Sequence, residues 1–282
     1  MDFLEIRRVV ITAMFSDDTL FDKLVLKGGN ALSIVHEVGV RTSLDIDLSL
    51  EGDFDDVEDA KARLFRALED RFDSAGYSVF DLRFSKKPPV PREGHPFWGG
   101  YLIEFKIVEK ERYESLSKDY EALRRVATPV GPGQSRVFRI EISKHEYCRG
   151  KIEAEVEAHN IFVYSLPMIV IEKLRAICQQ MTEYTVRGPK TARARDFLDI
   201  HSVLTKIDIE LNSAENQELI RGMFAAKDVP LMLLGNMGRY REFHRADWDA
   251  VTVTAGADLE DYDFYFDFVL KKVKELEPLW VV

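Results

Sequence analysis

The chain has 282 residues, enough for one large or two small domains, and its 39 basic against 49 acidic residues leave a net charge of −10. That balance excludes nucleic-acid binding through bulk positive charge, though not a local basic patch beside an acidic, metal-binding site. A composition of 46% hydrophobic and 31% charged residues excludes disorder, and two cysteines, Cys148 and Cys178, exclude a disulfide framework. The apolar run from Val9 to Phe15 is too short to span a bilayer. A soluble, cytoplasmic protein with no membrane partner is expected.

Residues 2–15 carry a helical apolar stripe. Leu24-Val25-Leu26 is a short buried strand that ends at Gly28-Gly29, and the spacing of Ala31, Leu32, Ile34 and Val35 predicts a helix from the glycines to about Val38. Leu44 to Leu48 alternates apolar and acidic residues, as a strand with one wet face does. A charged amphipathic helix follows over 55–74, then strands over 77–84 and 101–108 around the proline-rich loop Lys86 to Pro91. A helix is predicted over 113–125, a breaker over 129–133, and strands over 136–143 and 161–164. Ser165 is a candidate helix N-cap with Pro167 in the first turn. Beyond it the pattern is helical, over 166–182, 192–206, 214–226, 230–244 and 258–276. The shift from mixed to purely helical segments indicates an α+β protein with domains 1–164 and 165–282.

The chemistry-bearing segment is Lys27-Gly28-Gly29-Asn30-Ala31-Leu32, followed by Arg41-Thr42-Ser43-Leu44-Asp45-Ile46-Asp47-Leu48. Two glycines at a strand-to-helix turn let backbone amides approach a phosphate. Asp45 and Asp47, two apart on a strand, share a face with Cα atoms about 6.6 Å apart. Like charges so placed repel unless a cation lies between them, and hard oxygen ligands suit Mg²⁺, with Mn²⁺ as an alternative. A glycine pair alone is a turn, and Asp-x-Asp alone is a wet strand edge; the order and spacing of the two together carry the signal.

These residues resemble the AbiEii/AbiGii-type toxins, minimal nucleotidyltransferases of the DNA polymerase β superfamily found in abortive-infection phage defence and toxin–antitoxin systems. The likeness extends to Glu172-Lys173-Leu174-Arg175-Ala176 and to Arg193-Ala194-Arg195-Asp196-Phe197-Leu198-Asp199, so that four blocks span residues 25–204 in order. The resemblance implies a polymerase β-like core of mixed sheet and helices, followed by a helical domain that closes the nucleotide site. It implies Mg²⁺ held by Asp45, Asp47 and a third carboxylate, Glu141 or its competitor Glu104. It also implies a nucleotide bound by Lys27, Gly28, Gly29, Asn30, Arg41, Ser43, Lys173 and Arg195, with Asp196 and Asp199 fixing Arg195 and Lys173 by ion pairs or helping to hold the nucleotide. Asn30 stands where the superfamily often has Ser or Thr, and an amide can bond a phosphate as a hydroxyl does.

The reaction so implied is nucleoside monophosphate transfer from an NTP to an acceptor hydroxyl, with pyrophosphate released. The acceptor implied is the 3′ end of tRNA, and a cognate antitoxin is the expected partner. The alternatives are nucleotidylation of a protein or small molecule, and a nucleotide-binding module without turnover. Arg187, Lys190, Arg193 and Arg195, with Lys86, Lys87 and Arg92, are the candidate RNA-backbone cations, against an ordinary solvated loop. The aromatic run Tyr262, Phe264, Tyr265, Phe266 and Phe268 has core spacing.

Overall fold

The computed structural model describes residues 1–39, 43–90, 93–116, 119–130, 135–186, 188–255 and 259–280. The chain divides into two compact units. The first comprises Met1–Val35, Ser43–Cys148 and Ile152–Val163; the second comprises His36–Thr42, Arg149–Lys151 and Tyr164–Val282.

The first unit opens with α1 (Phe3–Met14), whose start is fixed by a capping box: the Asp2 side chain accepts from the Glu5 amide and the Glu5 side chain accepts from the Asp2 amide. Helix α2 (Asp18–Lys23) leads into β1 (Leu24–Lys27), α3 (Gly28–Asn30) and a π-helical turn over Ala31–Val35. Next come β2 (Ile46–Leu50), α4 (Val57–Ser74), β3 (Tyr77–Lys87) and β4 (Gly100–Glu109). Two short helices, α5 (Lys110–Ser115) and α6 (Tyr120–Val126), precede β5 (Phe138–Ser143), β6 (Lys151–Val156) and β7 (His159–Tyr164).

The strands form one mixed sheet in the order β3-β4-β5-β2-β1-β7-β6. Period-two alternation gives it a dry face and a wet face. On the dry face Ile103, Ile140 and Ile46 lie in one row, and Tyr101, Ile142, Leu48 and Leu26 in the next; all seven are buried. In α4, Leu64, Leu68 and Phe72 recur every four residues and are buried, and the Phe72 ring lies 5.8 Å from that of Phe105. That apolar stripe is what makes a helix with so many charged residues pack.

In the second unit the described helices are α7 (Leu166–Cys178), α8 (Ala194–Lys206), α9 (Ala214–Ala225), α10 (Leu233–Asn236), α11 (Arg241–Arg245), α12 (Trp248–Ala255) and α13 (Tyr262–Lys274). Phe197 of α8 stacks on Phe266 of α13 at 4.9 Å and meets Tyr262 edge-on. The aromatic run is therefore largely core, with Phe264 exposed.

The fold is α+β, as the sequence indicates. Several local expectations change. The strand expected from Leu44 begins at Ile46, which leaves Asp45 off the ladder. The helix expected over 113–125 is two short ones. The helix expected over 230–244 is broken into α10, a 3₁₀ turn at Met237–Tyr240 and α11. Glycine is a poor helix former, and Gly235 is further constrained because an added Cβ would lie 2.8 Å from the Trp280 indole nitrogen. Helices α2 and α12 and strand β6 were not anticipated. Ser165 does occupy the N-cap of α7, without a side-chain cap bond. Among the described residues no helix is long and apolar enough to cross a membrane.

Candidate active site

On the wet face of the sheet, strand register builds the site. Lys27 on β1 pairs with Asp47 on β2, and Asp47 pairs with Glu141 on β5. Neighbouring strands lie about 4.8 Å apart, so Asp47 and Glu141 point to one face as next neighbours. Glu104, on β4, is the Cα partner of Arg139 on β5, and β4 lies one strand further out, about 10 Å from β2. Its carboxylate is 3.1 Å from the Arg139 guanidinium. The register thus singles out Glu141, and not Glu104, as the acid beside Asp47. The Glu141 carboxylate accepts from Lys87 Nζ at 2.5 Å, a contact the basic-surface expectation for Lys87 did not foresee.

Gly28 opens the turn after β1 with φ of +70°, a left-handed conformation that favours glycine. An added Cβ there would lie 2.5 Å from Asp47 Oδ2, so the missing side chain makes room for the carboxylate itself. Gly29 is half-buried beside it. Asp45, also half-buried, sits one residue before β2.

Two expected phosphate ligands have partners within the protein. Asn30 is fully buried; its Oδ1 accepts from Arg7 Nη1 at 3.0 Å and its Nδ2 donates to the Asp45 carbonyl at 2.7 Å. A side chain so held ties the turn to the Asp45 backbone. The Lys27 ammonium is buried 3.6 Å from the buried Glu146 carboxylate. The Ser43 carbonyl accepts from Arg7 Nη1 at 3.3 Å, and Arg41 lies outside the described residues. Arg7 and Glu146 were missed by sequence reasoning. Arg7 sits on a helix that reads as plain amphipathic, and Glu146 has no motif around it.

The donor set at Asp45, Asp47 and Glu141 is wholly carboxylate, the chemistry that suits a hard divalent cation. Among the described residues, however, no group of three or more His, Cys, Asp or Glu side chains converges as a ready-made metal cage. A cation would draw Glu141 from Lys87.

The other expected residues form a cluster in the helical unit. Lys173 of α7 is buried, and its Nζ donates to Asp196 Oδ1 at 3.1 Å and to Asp199 Oδ2 at 2.7 Å, both on α8. Arg193 Nε donates to the second Asp196 oxygen. Burial alone would raise the Asp196 pKa, but the adjacent Arg193, Lys173 and Arg195 cations hold it far below the ordinary carboxylate range. Asp196 and Asp199 pair with Lys173, as one of the two expected roles has it, while Asp196 bonds Arg193 where Arg195 was expected. Arg195 itself is exposed. His244 accepts from the Arg193 amide through Nδ1, and burial pushes its pKa down to about 4, an effect Arg193 adds to and Asp196 opposes.

The basic stretch is also thinner than the sequence suggests. Lys190 Nζ donates to the carbonyls of Gln179 and Tyr184, and Arg193 is bound to Asp196. Arg187 and Arg92 lie outside the described residues.

The family model described as nucleotidyl transferase AbiEii toxin, type IV toxin–antitoxin system, matches residues 10–271. Among solved structures, the chain is similar to MenT4, a nucleotidyltransferase toxin from Mycobacterium tuberculosis H37Rv, at 14% identity and a TM-score of 0.48, covering 97% of this chain and 82% of that one. It is also similar to an antigenic nucleotidyltransferase-like protein from Paracoccidioides brasiliensis, at 14% identity and a TM-score of 0.40, covering 81% and 93% respectively. No curated protein matches.

Proposed function

This chain belongs to the AbiEii family of nucleotidyltransferase toxins, and from that premise we propose that it transfers a nucleoside monophosphate from an NTP to the 3′ end of tRNA, using Asp45, Asp47 and Glu141. The observation that carries the reading is the juxtaposition of Gly28, Asp47 and Glu141: a turn with no side chain against a carboxylate whose register partner is another carboxylate. Family membership supports NTP as the substrate and a cognate antitoxin as the partner, in an abortive-infection or toxin–antitoxin setting. The three acids would hold Mg²⁺ or Mn²⁺, and the bound ion would neutralise the transferring phosphate. The ladder holds Asp47 and Glu141 side by side before any ligand arrives, so little ordering is left to the moment of reaction. Gly28 and Gly29 leave backbone room for the triphosphate. Lys173 would act on the nucleotide only after leaving its two carboxylates; its contribution as found is to join α7 to α8.

A second reading, transfer to a protein or small molecule, is favoured by one observation: Lys190 and Arg193 are engaged internally, which leaves fewer cations for an RNA backbone. Incubation with Mg²⁺, each α-³²P NTP, and total tRNA or a cytosolic protein extract separates the two. Label on tRNA is expected, and Asp47→Ala should lower it by about 10³-fold, at the upper end for removing one electrostatic contributor to a transition state. Label on protein alone would establish the second reading, and undiminished transfer by a folded Asp47→Ala protein would overturn both.

A further inference from the structure

We propose that Arg7 is a positioning residue for the nucleotidyl-transfer site, acting through Asn30 on the backbone that carries Asp45. This rests on Asp45 and Asp47 being the working carboxylate pair. Asp47 needs no such help, because it is paired on both sides by β1 and β5. Asp45 precedes the first ladder residue, Ile46, so the ladder does not set its place. A buried relay reaches its backbone. Arg7 Nη1 donates to Asn30 Oδ1 at 3.0 Å and to the Ser43 carbonyl at 3.3 Å, and Asn30 Nδ2 donates to the Asp45 carbonyl at 2.7 Å. The guanidinium is itself fixed, 4.8 Å over the Phe3 ring, and Nε donates to the Phe3 carbonyl. Arg7 and Asn30 are both buried. A planar, permanently charged fork suits such a junction, because one group can bond two oxygens in fixed directions. Arg7 lies ahead of the matched residues 10–271, so the family match does not speak for it.

The relay predicts an effect on cation affinity that is separable from stability. Protein without nucleotide or acceptor is titrated with Mn²⁺ and the bound ion followed by electron paramagnetic resonance, with Asp47→Ala as the background. Asn30→Asp keeps an oxygen for Arg7 and replaces the donor to Asp45 with an acceptor. It should raise the half-saturating Mn²⁺ concentration about tenfold and lower kcat about tenfold, the range found for partners outside a metal's ligand set, with KM for NTP little changed. Arg7→Lys, which keeps a charge and a donor, should fall between wild type and Asn30→Asp, and it decides the matter if Asn30→Asp does not fold. Folded Asn30→Asp and Arg7→Lys proteins with wild-type Mn²⁺ binding and kcat would overturn the proposal. Wild-type Mn²⁺ binding and transfer in Asp47→Ala would instead overturn the carboxylate reading, and the proposal with it.

Discussion

Asp47 and Glu141 stand opposite one another on adjacent strands of a half-exposed sheet face, held by backbone pairing, whereas Asp196 and Asp199 are buried in the helical unit and held by Lys173 and Arg193. The residue types are the same and the outcomes differ. Asp47 and Glu141 stay half-exposed on their strands. Asp196 and Asp199, neutralised by Lys173 and Arg193, are closed off from water and join two helices. Motif membership alone does not separate the two cases; burial and the identity of the counter-charge do.

The sharpest way to break the contrast is Lys173→Met. Removing one partner of a buried ion cluster leaves uncompensated charge and costs about 3–5 kcal/mol, to be read as a lowered urea midpoint. A loss of transfer at unchanged stability would instead return Lys173 to the nucleotide. Gly28→Ala tests the other region. The left-handed backbone and the contact with Asp47 together should cost about 1–3 kcal/mol, and displacement of the carboxylate should lower transfer about 10²-fold. Equal transfer in the two proteins would separate the turn from the chemistry.

The pH dependence sharpens the picture of the helical unit. His244 is buried and neutral when folded, with its pKa lowered to about 4. The unfolded chain takes up the proton below about 6.5, so stability is full above that pH and declines toward 4. About 2 kcal/mol should be lost between pH 7 and 5, at roughly 1.4 kcal/mol per unit. Asp196 has the opposite sign: its depressed pKa gives stability that persists until pH falls below about 4. Asp196 is silent between pH 7 and 5, where His36 and His201, also lowered by burial, act with the same sign as His244, so the difference between wild type and His244→Gln in denaturant titrations at the two pH values gives the His244 share. The smallest effect belongs to Lys87→Ala. A half-exposed pair with Glu141 is worth at most about 1 kcal/mol, so thermal melting should barely move.

Much of this was legible from local pattern. The glycine turn, the acidic alternation at Asp45 and Asp47, the helical stripe of α4 and the change to helices near residue 165 are set by neighbours a few residues apart, and backbone sterics and side-chain periodicity act over that range. Identification of the AbiEii family rested on the same short blocks. What only the tertiary structure decided depends on pairing across long separations. It placed Glu141, and not Glu104, beside Asp47 by strand order, set Asp45 just off the ladder and enclosed Asn30 between Arg7 and the Asp45 carbonyl. It also buried Lys173 against Asp196 and Asp199, and half-buried Lys190 against the carbonyls of Gln179 and Tyr184, which the sequence does not mark. A lysine's spacing says which helix face it shares, but not whether that face meets water or a carboxylate, because burial is a property of the packed elements and not of the segment that enters them.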